Sequence, residues 1–235
     1  MPINDYSHIS KEYAKSGTEG TAYLAFRDVP KLIKTYVKGN NALDYGCGPG
    51  DSTRFLFNQG FHVEGVDVSN DMLKEAQSAN INANFNLIQS GKLPFENNSF
   101  DLVFSSFVLF EISTKDELIK IFNEIYRVLK QGAVFIAVTG SEHLYNHKWV
   151  SLDVDFNTNH NLKSGDTAKV RLKDVDLIVY DYFWTHQDYL NVIQSSKLDL
   201  KEHLLPLGKS GEPYEWKDEI SFPPYVIYIL SKSLC

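Results

Sequence analysis

Ala42-Leu43-Asp44-Tyr45-Gly46-Cys47-Gly48-Pro49-Gly50 is followed by Val63-Glu64-Gly65-Val66-Asp67-Val68-Ser69. The first stretch reads as a short apolar strand running into three alternating glycines. The second reads as an apolar strand that ends in a lone carboxylate. In an open α/β sheet both strand ends lie at one edge, so a glycine-lined floor and an acid face the same crevice. Glycine permits positive φ and removes the side chain, so a ligand can lie directly against the backbone there. Asp67 is then placed to accept hydrogen bonds from two adjacent hydroxyls, as on a ribose.

The glycine spacing argues against a dinucleotide. That fingerprint is G-x-G-x-x-G; with Gly46 and Gly48 as its first two glycines, the third position holds Asp51, and the third glycine is Gly50 instead. A carboxylate opening the next helix also suits a pyrophosphate poorly, because that group needs bare N–H donors. Asp44, just before the glycines, suits a cation such as an amino-acid ammonium. A ribose acceptor, a glycine floor and an acid near an ammonium together point to S-adenosylmethionine.

Four motifs in order carry a family resemblance. They are Asp44-x-Gly46-x-Gly48-x-Gly50; Gly65-Val66-Asp67-Val68-Ser69; Leu93-Pro94-Phe95 through Phe100-Asp101-Leu102-Val103-Phe104-Ser105-Ser106; and Glu124-Ile125-Tyr126-Arg127-Val128-Leu129-Lys130-Gln131-Gly132 into Ala133-Val134-Phe135-Ile136. Over residues 40–140 the chain resembles the class I S-adenosylmethionine-dependent methyltransferases of the small-molecule type. The resemblance implies a Rossmann-like, seven-stranded, mostly parallel sheet of order 3-2-1-4-5-7-6, with helices on both faces and a lid inserted after strand 5. It also implies S-adenosyl-L-methionine as cofactor and S-adenosyl-L-homocysteine as product.

Carried over residue by residue, the resemblance makes Gly46, Cys47, Gly48 and Gly50 the cofactor floor and Asp67, with Val68 beside it, the ribose end. Asp44 would serve the methionine ammonium directly or through water, and Met72 would pack on the adenine. At Gln89-Ser90-Gly91 the chain departs from the family, which commonly carries an acid there for the adenine amino group. Gln89 or Ser90 is left to accept instead. Ser105 and Ser106 end the fourth strand, where a backbone carbonyl helps hold the ammonium, and Phe107 follows at the cofactor–substrate mouth. In the N-terminal segment, 1–36, expected to fold over the cofactor, Tyr13 and Arg27 are candidates for the methionine carboxylate.

Composition narrows the class. The chain has 235 residues, 43% hydrophobic, a formal net charge of −7 and two cysteines, Cys47 and Cys235. That length suits a single domain, 1–235. The acidic balance, without a dense basic run, argues against nucleic acid, whose binding rests on clustered Lys and Arg. Two cysteines make no disulfide framework. Met1-Pro2-Ile3-Asn4-Asp5 has neither a charged n-region nor an apolar h-region, and no stretch approaches the roughly 18 apolar residues of a membrane span. The expectation is a cytoplasmic protein with a small-molecule substrate and no membrane partner; the oligomeric state stays open.

Strand-like runs recur at 41–46, 62–67, 84–88, 101–107 and 132–139, with helical patterns between them, as in a parallel sheet covered on both faces. Leu118, Ile121, Phe122, Ile125 and Leu129 share one face of a helix over 115–130. Thr114 with Glu117 reads as its capping box. Ser69 reads as the cap after the second strand, and Thr185 with Asp188 opens a helix at 186–196. Residues 140–184 break the alternation: runs at 167–172 and 176–183, joined by Lys173-Asp174-Val175, read as a hairpin. With Tyr145, Trp149, Phe156, Tyr180, Tyr182, Phe183 and Trp184, the segment is expected to form an aromatic-walled lid over the substrate, or a small second core. Strands near 198–204 and at 225–230 close the sheet.

Methyl transfer from a sulfonium needs alignment and dehydration more than acid–base help. A neutral amine needs no prior base, whereas a hydroxyl does. The family often shows a histidine pair where this chain has Phe110-Glu111. The candidate bases are Glu111, His143, Asp181 and Tyr182; a plain helix-start carboxylate is the alternative for Glu111. None stands out, which leans towards N- over O-methylation. His143 and His147 lie at helical metal-ligand spacing but lack the H-E-x-x-H context, so no metal is expected. A protein methyltransferase of the same fold, and a binding protein that keeps the cofactor without catalysis, remain as alternatives.

Overall fold

The computed structural model describes residues 3–233; Met1, Pro2, Leu234 and Cys235, the second cysteine, lie outside the described residues. The central sheet contains β1 (Asn41–Tyr45), β2 (His62–Asp67), β3 (Asn84–Leu87), β4 (Phe100–Ser106), β5 (Leu129–Gly140), β9 (Asp199–Leu204) and β10 (Tyr225–Ser231). Their order is β3-β2-β1-β4-β5-β10-β9. Counting only the strands of this sheet, that is the expected 3-2-1-4-5-7-6. The first five are parallel, and β10 runs antiparallel between β5 and β9. Helices α1 (Tyr6–Tyr13), α2 (Tyr23–Phe26) and α3 (Val29–Tyr36) precede the sheet; α4 (Asp51–Asn58), α5 (Asn70–Ser78), α6 (Lys115–Val128) and α7 (His186–Ser195) lie between its strands.

Buried parallel strands should be apolar on both sides, because side chains alternate between faces and both are covered. Ala42, Leu102, Phe104, Val134 and Ile136 pack into one core. Their neighbours Leu43, Val103 and Phe135 pack into the other, with α6. The stripe Leu118, Ile121, Phe122, Ile125 is almost wholly buried. Helix α6 stops at Val128, before the expected end, because Leu129 is already paired with Phe100 in the sheet.

The two expected helix starts, of which only that of α6 is expected as a capping box, differ. At α7 the box is complete: Thr185 accepts from the Asp188 N–H, and Asp188 accepts from the Thr185 N–H. At α6 the Thr114 hydroxyl accepts from the Glu117 N–H at 3.2 Å, but the Glu117 side chain does not return the bond. Ser69 caps α5 as expected, accepting from the Met72 N–H.

A second, antiparallel sheet of order β6-β7-β8 sits between β5 and α7, formed by β6 (Leu152–Asp153), β7 (Thr167–Leu172) and β8 (Leu177–Tyr182). The hairpin is the expected one; β6 is too short to leave a pattern in sequence. Side chains buried far from any motif pin this sheet. Glu219, fully buried, accepts from the Thr21 hydroxyl and from the Val150 and Lys217 N–H groups. Asn159 bridges the Val154 and Lys169 backbones. Asn4 pairs through its amide with both backbone groups of Tyr180 on the edge strand β8, at 2.8 and 2.9 Å. Unpaired edge groups invite such a partner, and here they tie the N-terminal segment to the small sheet.

Candidate functional site

The C-terminal edges of β1, β2 and β4 open onto two adjoining cavities with open volumes of about 1160 and 1030 Å³. Tyr6, Tyr13, Gly46, Gly48, Ser106, Phe107 and Glu111 line both, so the two chambers share a wall. One adds Asp67, Val68, Met72, Gln89 and Ser90 to the shared glycines, while Cys47, Pro49, Asp51 and Ser52 of the loop and helix start line the other. The other reaches up under the small sheet, to Leu152, Val170, Leu172, Val179 and Asp181.

The glycine loop is folded by β2: the Gly46 and Cys47 N–H groups both donate to the Val66 carbonyl. Gly46 has φ +74, and a Cβ there would lie 2.2 Å from Val108 Cγ2. Gly48 has φ +50, and nothing stands within 4 Å of where its Cβ would be. It is therefore a bare backbone surface facing open space, as a ligand cradle requires. Asp67 Oδ2 accepts from the Gly48 N–H at 2.9 Å and Oδ1 from the Ser69 N–H at 2.7 Å. Each oxygen keeps a lone pair for a ligand hydroxyl. Burial raises the Asp67 pKa, against the pull of these N–H donors.

Asp44 is fully buried beneath the loop. Its Oδ2 accepts from Ser52 and Thr53, while Oδ1 is buried with no hydrogen-bond partner among the described residues. Burial pushes its pKa up to about 7. An orphaned buried acceptor is costly, and a donor from a ligand or its water would satisfy it. The bare Gly48 surface, the Asp67 lone pairs and the Asp44 oxygen fit the group the motifs imply.

Several expected site residues fall elsewhere. Arg27 lines neither cavity, because its guanidinium is held by Asp28, Glu212 and the Leu207 carbonyl. Gly50, with φ +99, precedes α4 and packs against Ile81 and Ala76; it makes the turn and not the floor. Gly91 lies outside both chambers, donating its N–H to the Tyr45 hydroxyl. Ser105 is buried and ties β4 to β1 through the Tyr45 carbonyl, so Ser106 alone reaches the chambers. His143 stacks on His147 and Phe222 outside the site, and Tyr182 packs against the core on the α6 side. Neither is placed to be a base.

Tyr13, Cys47, Val68, Met72, Gln89, Ser90, Phe107, Glu111 and Asp181 do line the chambers. Phe107 has φ +63, unusual for an aromatic residue. Its N–H donates to Val138 and its ring touches Phe26, Phe110 and Tyr225. Backbone strain of this kind concentrates at ligand sites. Glu111 is not a helix-start carboxylate: it ends the 3-10 turn Leu109–Glu111, before α6. It accepts from the Tyr6 hydroxyl and from Asn4, and burial raises its pKa to about 8. Asp181, 3% exposed, accepts from the Tyr145 hydroxyl at 3.1 Å, and burial pushes it to about 7.

Two features escaped the sequence reading. Glu117, freed from its capping box, lines the cofactor-side chamber next to Gln89 and Ser90, so a carboxylate does stand near the position that lacks one in sequence. The expected aromatic lid wall is also absent. None of the seven aromatics singled out in 140–184 lines the acceptor-side chamber. That segment presents aliphatic residues with Ser151, Asp174 and Asp181, while the rings there are Tyr6, Tyr13, Phe26, Phe107, Phe110 and Tyr225, from the N-terminal segment and the sheet edge. Burial signals in the sequence cannot separate a core-facing ring from a cavity-facing one.

Among the described residues, no cluster of three or more His, Cys, Asp or Glu could hold a metal ion. None of their helices is long and apolar enough to cross a membrane.

Residues 42–132 match the family model described as a methyltransferase domain. The chain is 35% identical over 168 residues to a demethylmenaquinone methyltransferase of Leptospira interrogans, covering 65% of this chain and 64% of that protein. It is 36% identical over 124 residues to an uncharacterized methyltransferase of Schizosaccharomyces pombe, covering 48% and 47%. The chain spans about half the length of several curated relatives it matches. A putative S-adenosylmethionine-dependent methyltransferase from Listeria monocytogenes shares the fold, with a TM-score of 0.67, 19% identity and coverage of 92% and 100%.

Proposed function

We propose that this chain, a class I S-adenosylmethionine-dependent methyltransferase by its matched domain and its fold, methylates a small molecule, at nitrogen in preference to oxygen. The observation that carries the reading is the pair of chambers sharing one wall. A chamber holding Asp67 and Met72 shares seven wall residues with a second one that reaches under the small sheet, as a site joining a cofactor to a small molecule would.

When bound, S-adenosylmethionine supplies a sulfonium methyl group, already activated for in-line displacement. The residues of the chain supply position. Asp67 would take the ribose hydroxyls, Gly48 would let the ligand lie on the backbone, and Asp44 with the Ser106 end of β4 would receive the ammonium. Met72, Ile88, Gln89, Ser90 and Glu117 would surround the base. Tyr6, Tyr13 and Phe107 stand where the chambers meet and would exclude water from the line of transfer. Holding two reactants in line in a dry site is worth on the order of 7–11 kcal/mol. We assign the covering role to the N-terminal segment, 1–36, and the acceptor lid to 140–184. The cavity under that lid favours a small acceptor over a protein side chain. The Leptospira relative is named for demethylmenaquinone; the same class of acceptor is a comparison substrate here.

The test is calorimetric titration of the intact protein with S-adenosylhomocysteine and S-adenosylmethionine, then transfer of a labelled methyl group to a panel of small acceptors. Binding near micromolar followed by labelled product is expected. A folded protein that binds neither would overturn the cofactor reading. Binding with label found only on added proteins would overturn the small-molecule reading.

A further inference from the structure

The acceptor-side chamber carries an unbalanced charge. Five carboxylates line it, from Glu19, Asp51, Glu111, Asp174 and Asp181, and among the described residues no Lys, Arg or His does. Two of the five, the buried Asp181 and the half-buried Glu111, belong to no ion pair between described residues. Asp181 is held only by the Tyr145 hydroxyl, on Oδ2; its Oδ1 has no donor among the described residues. Glu111 is held by the neutral donors Tyr6 and Asn4, both on Oε1. Burial, and after it the charge of Asp181, raises the affinity of Glu111 for protons, as a like charge near a desolvated carboxylate does.

A buried carboxylate without a cation is expensive. At two other buried acids the chain meets that demand with its own groups: Glu219 collects two backbone N–H groups and a hydroxyl, and Asp188 is paired with Lys115 and Ser164. At Glu111 and Asp181 it does not, and both lie on the wall of a cavity. The rest of the wall carries no charge and includes the rings of Tyr6, Phe107, Phe110 and Tyr225 and aliphatic groups beside a few hydroxyls. Aromatic faces attract a cation. They would repel neither an alkyl nor an aryl body.

Resting on the methyltransferase reading above, we propose that the acceptor is an amine captured as its ammonium between Glu111 and Asp181, with the apolar part of the molecule under β7 and β8. The two carboxylates determine specificity: a carboxylate- or phosphate-bearing acceptor meets five acidic groups and no cation, and a neutral alcohol leaves the pair unanswered. The ammonium gives one proton to Glu111, which frees the nitrogen lone pair. An N–C bond then forms as the C–S bond breaks, its electron pair remaining on sulfur. The product is a methylammonium that carries the charge the sulfonium has lost, and Glu111 later releases its proton to solvent.

The experiment loads the intact protein with S-adenosylhomocysteine, by calorimetry, and then measures binding of benzylamine, benzyl alcohol and benzoate by ligand-observed NMR. Benzylamine is expected to bind at least about tenfold more tightly than the alcohol, and benzoate not at all. Asp181→Asn and Glu111→Gln should each remove most of that preference while still binding S-adenosylhomocysteine, which also reports that they are folded. Equal binding of amine and alcohol, binding of benzoate, no binding of any probe, or a preference untouched in both variants would overturn the inference. Failure of the first step, S-adenosylhomocysteine binding by folded wild type, would instead overturn the reading on which it rests.

Discussion

The two chambers are built differently. The cofactor side is backbone: a loop of positive-φ glycines, N–H groups of Gly48 and Ser69 on one carboxylate, and strands whose ends coincide because they are parallel neighbours. The acceptor side is side chains drawn from distant parts of the chain. Asn4 reaches Tyr180, Tyr6 reaches Glu111, Tyr145 reaches Asp181 and Thr21 reaches Glu219. A site made of backbone can bind one cofactor in a fixed pose. A site made of long-range side-chain contacts can be changed one residue at a time without disturbing the sheet beneath it. The division places chemistry common to a family on the first side and choice of acceptor on the second.

The contrast can be broken most directly at Asp67. Replacing it with Ala removes the acceptor for ligand hydroxyls and for two backbone donors. Cofactor affinity should fall about 100-fold, or ~3 kcal/mol. A titration showing less than a fewfold loss would mean that the loop does not depend on this carboxylate.

Gly46→Ala tests whether the loop is truly set by backbone. The left-handed conformation costs a non-glycine residue about 1–2 kcal/mol, and the new methyl group would meet Val108. Chemical denaturation should show a loss of about 2 kcal/mol; a variant as stable as wild type would show that the loop relaxes freely.

Glu111 tests the acceptor side through pH. Its folded pKa, about 8, lies above the ordinary 4.5, so the folded state holds the proton more tightly than the unfolded state does. Its contribution to stability is therefore full below about pH 4.5 and is lost as pH rises through 8. Asp181 and Asp44, both near 7, act in the same sense. The melting temperature of the ligand-free protein should fall between pH 5 and 8.5, and Glu111→Gln should make that fall shallower. An identical slope in the variant would show that Glu111 is not buried as an unpaired acid.

The smallest effect is expected at the clasp. Asn4→Ala frees the Tyr180 backbone and should cost about 1 kcal/mol. Hydrogen exchange at the Tyr180 amide should quicken while the amides of β1 and β4 stay protected. Faster exchange throughout the sheet would mean that the N-terminal segment supports the whole fold and not the acceptor chamber alone.

Legibility followed the same division. The strand ends, the glycine loop, Asp67, the Ser69 cap and the α6 stripe depend on local spacing, and spacing is visible in a sequence. Arg27 shows the limit: a lone arginine in the N-terminal segment has the right chemistry for a carboxylate, yet Glu212 and Asp28 hold it outside both chambers. Glu117 shows the reverse, a carboxylate assigned to a capping box whose side chain lines the cavity instead. In both, the outcome was set by a partner remote in sequence or by the space around a helix end.

By itself, then, the sequence determined the strands of the sheet and the glycine loop with its facing Asp67, and the family resemblance of its motifs implied the strand order, because the period of a strand, the freedom of a glycine and the placement of a strand's last carboxylate are properties of a few consecutive residues. The tertiary structure alone decided which rings face the acceptor, that Glu111 and Asp181 share one apolar space without a cation, and that Asn4 clasps the lid, because each of these depends on residues about 70 to 180 positions apart meeting at distances only packing can set.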